Sequence, residues 1–271
     1  MLKNKLPPVT MVNVGRLTRI STGLALLVMA FGCAAPLSGN AVKTGSALKP
    51  ALPDPATYQR AVNSAVRSAE DRASDNTRKP LAFLAFAGVA PGMQVLDIAA
   101  GGGNTSQLMA LVVGNGGKVY AQGPAARAAL AERLSGTAQP NIVPVVRPYD
   151  DPVPPGTPPL DLVTINLNYH DIANLPLDRV RMDRRLFEAL KPGGHVVVID
   201  HAAAPGTSLR DSRGLHRIDE ALVRSDFEQA GFRLEASADS WRNPADTHQQ
   251  KSYDMKEPTD RFALRFVKPA S

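Results

Sequence analysis

Two stretches of this 271-residue chain bring together side chains able to do chemistry. In "NYHD", Asn168, Tyr169, His170 and Asp171 are consecutive, so an amide, a phenol, an imidazole and a carboxylate share a few ångströms of chain. Histidine titrates near neutral pH and can take a proton from an oxygen nucleophile while a carboxylate, Asp171 or another, orients it. In "VLDIAAGGGNTSQLM" (Val95–Met109), Asp97 ends an apolar run and Gly101, Gly102 and Gly103 follow. Such a turn clears side chains from the path of a ligand, and the helix expected near Thr105 offers unpaired N–H groups. A carboxylate at Asp97 would hold a cationic amine and repel a diphosphate, which favours a nucleoside carrying an amino acid over a dinucleotide. Both stretches also have plainer readings, a tight strand-to-helix turn and a helix cap. A third polar group comprises Asp200 and His201, with His216, Arg217, Asp219 and Glu220 in "HRIDEAL". There the four-residue spacing predicts His216 and Glu220 on one helical face. The histidine spacing matches no compact ligand motif such as H-E-x-x-H, so no metal is expected, and these groups read as a hydrogen-bonded pocket wall or as salt bridges.

The elements that must position these residues follow from hydropathy. From "MQVLDIA" onward, short apolar runs alternate with amphipathic stretches: "TSQLMALVV", "GKVYAQ", "AARAALAERL", "NIVPVV", "DLVTINL", "DRVRMDRRLFEAL" and "HVVVIDH". This alternation predicts an α/β fold, a Rossmann-like three-layer α/β/α sandwich around a seven-stranded, mostly parallel sheet. No helix separates "FRLEAS" from "RFALRFVK", so the last two strands read as an antiparallel pair joined by the polar loop 239–260. In an open parallel sheet the ligand crevice lies beyond the carboxyl ends of the strands, where the glycine turn and "NYHD" both belong. Before the first strand, 55–90 reads as a helical segment, with Pro80 opening one helix. Its mixed charges place Arg72, Arg78 and Lys79 where one could reach a bound carboxylate, although such a run is also an ordinary solvated face. Trp241 and its loop are candidates for gating a second ligand.

At "LFEALKPGGHVVVIDH" (Leu186–His201), and at "FAGVAPGMQVLDIAAGGG" before it, the sequence resembles the class I S-adenosylmethionine-dependent methyltransferases, over residues 82–268. More narrowly it is similar to a group of exported bacterial predicted methyltransferases, through "DRASDNTRKP", "LNYHD", "HRIDEAL" and "SYDMKEPTDRFALRFVKP". The resemblance implies S-adenosylmethionine as cofactor and a small-molecule methyl acceptor. It makes Asp97, Ala99, Gly101, Gly102 and Gly103 the cofactor turn, with Ala99 at the first glycine of a D-x-G-x-G-x-G pattern, a replacement tolerable at negative φ. It puts Gln122 where the family carries a ribose-binding acid, which forfeits charge-assisted bonds. Pro148 stands where an adenine-reading Asp is common, leaving that role to Asp150 or Asp151, and Asn168 completes the cofactor contacts. Beside the methyl group it places His170, Tyr169, Asp171 and His201 as candidate catalytic residues.

The remaining composition bounds the setting. Residues 1–33 carry scattered Lys and Arg, an apolar run from Gly23 to Phe31 and then small residues, the order of an export signal. Cys33, the one cysteine, follows as a candidate lipid-anchored residue, and 34–54 read as a flexible tether. The expected location is therefore the periplasm, with or without a lipid anchor. Of the 31 basic residues, Lys3, Lys5, Arg16 and Arg19 lie in that signal, which contains none of the 25 acids, so the formal charge of +6 falls to about +2 in the remainder. That balance gives no support to nucleic-acid binding. Two functions remain open: a methyltransferase on a small acceptor, and a non-catalytic ligand-binding protein of the same fold.

Overall fold

The computed structural model describes residues 53–136 and 139–270. The export signal, Cys33 and nearly all of the tether lie outside the described residues. No helix among the described residues is long and apolar enough to cross a membrane.

Four short helices come first: α1 (Pro55–Val62), α2 (Ala69–Ala73), α3 (Asp75–Arg78) and α4 (Pro80–Ala87). Asp54 and Ser68 cap the first two through side-chain oxygens, and proline occupies the first turn of α1 and α4, where its missing N–H costs nothing. The alternating core follows as β1 (Gln94–Ile98), α5 (Asn104–Val113), β2 (Lys118–Gly123), α6 (Ala128–Gly136), β3 (Ile142–Val146) and β4 (Leu160–Asn166). Then come α7 (Tyr169–Ile172), α8 (Arg179–Ala189), β5 (Leu190–His201), α9 (Ser212–Leu215), α10 (Glu220–Gln229), β6 (Arg233–Ser237) and β7 (Arg261–Val267).

The seven strands form one sheet in the order β3-β2-β1-β4-β5-β7-β6. β1 to β5 pair in parallel, and β7 runs antiparallel to both β5 and β6. This is the architecture that the hydropathy alternation predicts. Side-chain alternation sorts the core into two layers. Leu96, Ile98, Val163, Val196 and Phe266 pack beneath α8 and α10, while Val95, Val119, Leu162, Val197 and Ala263 pack beneath α1, α4 and α5. Asp97 belongs by parity to the α5 side.

One expected element begins later than the sequence pattern predicts. His216 adopts a left-handed backbone (φ 51°) ahead of α10, which starts at Glu220 behind an Asp219 cap. His216 and Glu220 therefore do not share a helical face. Asp219 is spent on Gly206, Ser208 and Ala221 N–H groups, and Glu220 pairs with Arg242. Arg217 is fully buried and fastens the loop before β7, donating to the carbonyls of Ala202 and Gln250 and pairing with Asp246 at 2.8 Å.

Candidate functional site

Two adjoining cavities open at the carboxyl ends of β1, β2 and β4, and both are walled by Ala99, Ala100, Gly101 and Asn168. The larger, about 270 Å³, is polar and also lined by Arg78, Asp97, Asn104, Thr105 and Asn166. The smaller, about 160 Å³, is mostly apolar, lined by Ala121, Gly123, Ala125, Val145 and Tyr149. A polar chamber beside an apolar one, divided by a glycine turn, matches a ligand with a zwitterionic end and a flat aromatic end.

The three glycines do different work. A Cβ on Gly101 would meet nothing closer than the Ala99 carbonyl at 3.9 Å, so its space belongs to the cavities. Gly103, at φ 80°, would drive a Cβ to 2.6 Å from Leu130, so this glycine exists for packing α6 against the turn. Gly102 is intermediate, with Ala129 at 3.4 Å. Ala99 sits at φ 54°, which corrects the expectation of negative φ and means the alanine bears left-handed strain.

Asp97 is 1% exposed, and its oxygens accept from Ser106 Oγ at 2.6 Å and Thr164 Oγ1 at 2.8 Å. Burial raises its pKa from 3.8 to about 6 against the pull of those hydroxyls and of Arg78. Of the three cations that the sequence offers for a bound carboxylate, Arg78 is the one that lines the polar chamber; Arg72 bonds the Ser64 carbonyl and Lys79 the Ser240 carbonyl. The Arg78 guanidinium makes no hydrogen bond among the described residues. A network with no sequence signal braces the turn from outside. Asp71 pairs with Arg133 at 2.5 Å and accepts from Asn104 at 2.6 Å, while Arg133 donates to the Gly102 carbonyl. Asp71 and Arg133 are distant in sequence, and only the fold joins them.

The second chamber departs from the expected contacts. Gln122 accepts from the Ala99 N–H at 3.2 Å and donates to the Arg147 carbonyl at 2.7 Å, so its amide ties three strand ends together. Neither Gln122 nor Gly123 supplies a carboxylate for ribose. Asp151 pairs with Arg147 and Arg185, Asp150 with Arg181, and neither aspartate lines the chamber. Tyr149 does, a residue that the sequence pattern did not single out.

Beyond Asn168 the backbone enters α7 and parts the "NYHD" side chains. Tyr169 turns inward, 0% exposed, and donates to Asp226 at 2.8 Å beneath α10, away from both cavities. His170 lies against the end of β5, its Nδ1 2.7 Å from Asp200 Oδ1, while Asp200 also accepts the His170 and His201 amides. Burial alone would lower the His170 pKa, but the Asp200 charge and hydrogen bond outweigh it and the net shift is upward. The neighbouring His201 is pushed down to about 3 by burial with Arg261, His170 and Arg217 nearby, so it stays neutral while Nδ1 engages Thr259 at 2.6 Å. Asp171 is exposed and lies 3.4 Å from His170 Nε2 and 3.1 Å from His216 Nδ1. Trp241 is buried against Phe86 and donates to the Arg78 carbonyl, so it steadies the prelude and does not gate.

No protein-family model and no curated protein sequence matches this chain significantly. Solved structures do. A SAM-dependent methyltransferase from Aquifex aeolicus superposes with a TM-score of 0.53 at 17% identity, over 79% of this chain and 98% of that one. A putative sarcosine dimethylglycine methyltransferase from Galdieria sulphuraria gives 0.53 at 20% identity, over 73% and 87%. An S-adenosylmethionine-dependent methyltransferase from Mesorhizobium loti gives 0.51 at 16% identity, over 71% and 99%. The fold is that of the class I methyltransferases. At these identities the likeness establishes architecture, and the chemistry has to be argued from the cavities.

Proposed function

We propose that this protein is an S-adenosylmethionine-dependent methyltransferase acting on a small acceptor bound beside "NYHD". The observation that carries this reading is the paired chamber around Gly101, with Asp97 and Arg78 in its polar half. The amino group of a methionyl moiety fits the Asp97 side, its carboxylate fits Arg78 and the α5 N-terminus, and a purine fits the small-residue chamber beside Tyr149. The cofactor would supply an electrophilic methyl group on a sulfonium. This chain's part is to hold an acceptor in line and remove its proton.

His170 is built for the second task. Asp200 fixes Nδ1 as the protonated nitrogen, which leaves Nε2 as the atom on the Asp171 side. An acceptor hydroxyl or thiol docked there would lose its proton to that imidazole. The absent ribose carboxylate predicts weaker cofactor affinity than an acidic β2 end would give, not a different ligand. Export to the cell envelope, and the closer likeness to exported bacterial methyltransferases, belong to this proposal through the N-terminal sequence and the motifs quoted above.

Calorimetric titration with S-adenosylmethionine and S-adenosylhomocysteine tests the reading. Micromolar binding that is lost in Gly101→Val, with the circular dichroism spectrum retained, is the expected outcome. Absence of binding by folded wild-type protein would refute it, and favour a fold kept for another ligand.

A further inference from the structure

His170 and Asp171 are neighbours in sequence but His216 lies 45 residues further on, so the three form no compact motif, and the fold brings one ligand atom from each within 4.8 Å of the others. The geometry points to a divalent transition-metal site formed by His170 Nε2, Asp171 and His216 Nδ1, with its open side toward the cavity beneath α9. Ligand atoms about 2.0–2.2 Å from a common ion stand about 2.9–3.5 Å apart at tetrahedral or octahedral angles. Two of the three separations, 3.4 Å and 3.1 Å, fall in that interval, and the third is within 4.8 Å.

Three further features favour an ion over an accidental salt bridge. First, Asp200 is 0% exposed and engages His170 Nδ1, the carboxylate–imidazole pairing that orients a metal-ligating histidine and raises its basicity. Second, His216 is held in a left-handed backbone between Leu215, whose carbonyl accepts from Ser252, and the buried Arg217. That strain aims the ring at Asp171, and Tyr253 backs it edge-on at 5.1 Å between centroids. Third, two of the three ligands face open space. Asp171 and His216 line a cavity of about 550 Å³ with Asn174, Leu175, Pro176 and Arg213, which leaves room for water or a ligand heteroatom. Two imidazoles and one carboxylate suit zinc, iron(II), cobalt or manganese rather than calcium or magnesium, which prefer oxygen donors. The spacing of histidines in the sequence gave no sign of this, because His216 arrives through a loop and not on a helix.

The presence of the ion does not depend on the methyltransferase reading; its use does, because with Nε2 on the metal the ion replaces the imidazole base, binding an acceptor heteroatom and lowering its pKa so that water takes the proton. The test takes the full chain, stripped with a chelator, and measures zinc by equilibrium dialysis and cobalt(II) by its visible d–d absorption. Wild-type protein should bind one ion per chain. Asp171→Ala, and His216→Gly, which removes the ring without opposing the positive φ, should each weaken binding at least tenfold while keeping the circular dichroism spectrum. S-adenosylhomocysteine titration of the same samples reports on the cofactor chambers separately. No stoichiometric ion in wild-type protein, or an ion retained undiminished by both variants, overturns the site, whatever the nucleoside titration shows.

Discussion

Asp97→Asn separates stability from ligand binding in this protein. The carboxyl group titrates near 3.8 when solvated and about 6 when folded, because burial disfavours its charge more than Ser106, Thr164 and Arg78 favour it. A raised acid pKa stabilises the fold below the unfolded value and withdraws that stability as pH climbs through the folded one. The penalty is thus absent below about pH 4 and complete somewhat above pH 6. A shift of about two units corresponds to about 3 kcal/mol at neutral pH. An amide occupies the same volume, and the two hydroxyls can rotate to satisfy its oxygen and nitrogen. Asp97→Asn should therefore stabilise the ligand-free protein at pH 7.5 by about 1–3 kcal/mol, or roughly 2–12 °C in Tm for a domain of this size. The variant-minus-wild-type difference in urea midpoint, followed from pH 4 to pH 8, isolates this group from every other carboxylate. It should be near zero at the acid end and grow through pH 5 to 6. Ligand binding should move oppositely. A cationic amine at Asp97 needs the ionised form, so wild-type affinity for S-adenosylhomocysteine should fall as pH drops below about 6, approaching tenfold per unit. In Asp97→Asn it should be weak and flat over the same range. A variant that is destabilised at pH 7.5, or one that binds as well as wild type, would refute the assignment of Asp97 as a charge kept buried for its ligand.

Other substitutions probe the surroundings. Ala99→Gly relieves a left-handed residue and should stabilise the protein by about 0.5–1 kcal/mol once the added freedom of the unfolded chain is counted, measured by thermal melting. Gly103→Ala should lower the melting temperature, because at φ 80° its Cβ would also strike Leu130, whereas at Gly101 (φ 57°) only the backbone strain is added. Asp246→Ala leaves the fully buried Arg217 without its ion partner and should cost about 3–5 kcal/mol in denaturant unfolding.

The sheet was legible because its information is local: Val95, Leu96 and Ile98, or Val196 to Ile199, carry hydropathy that requires a strand buried on both faces. The glycine turn was legible for the same reason, although its division of labour was not. Nothing near Gly103 in sequence says that Leu130 lies over it, and nothing near Gln122 says that its amide will be spent on Ala99 and Arg147. Polar side chains at strand ends choose among partners brought by other elements, so Tyr169, Asp150 and Asp151 left the positions that their place in the chain implied. Arg78 illustrates the middle case, where composition offered three cations and the backbone of α3 selected one. "HRIDEAL" carries a helical pattern that Asp219, a strong cap, interrupts, so His216 stays outside α10.

The position of β7 has a consequence for how the molecule is made. It is the last strand in sequence, yet it lies between β5 and β6 and supplies Phe262, Leu264 and Phe266 to the core. Until that segment leaves the ribosome, β5 has an unpaired edge and β6 has no neighbour at all, so the sheet cannot close stepwise during synthesis. From the completion of β5 until β7 emerges, the growing chain carries that sticky rim, and the sheet is finished by the segment made after all of its neighbours.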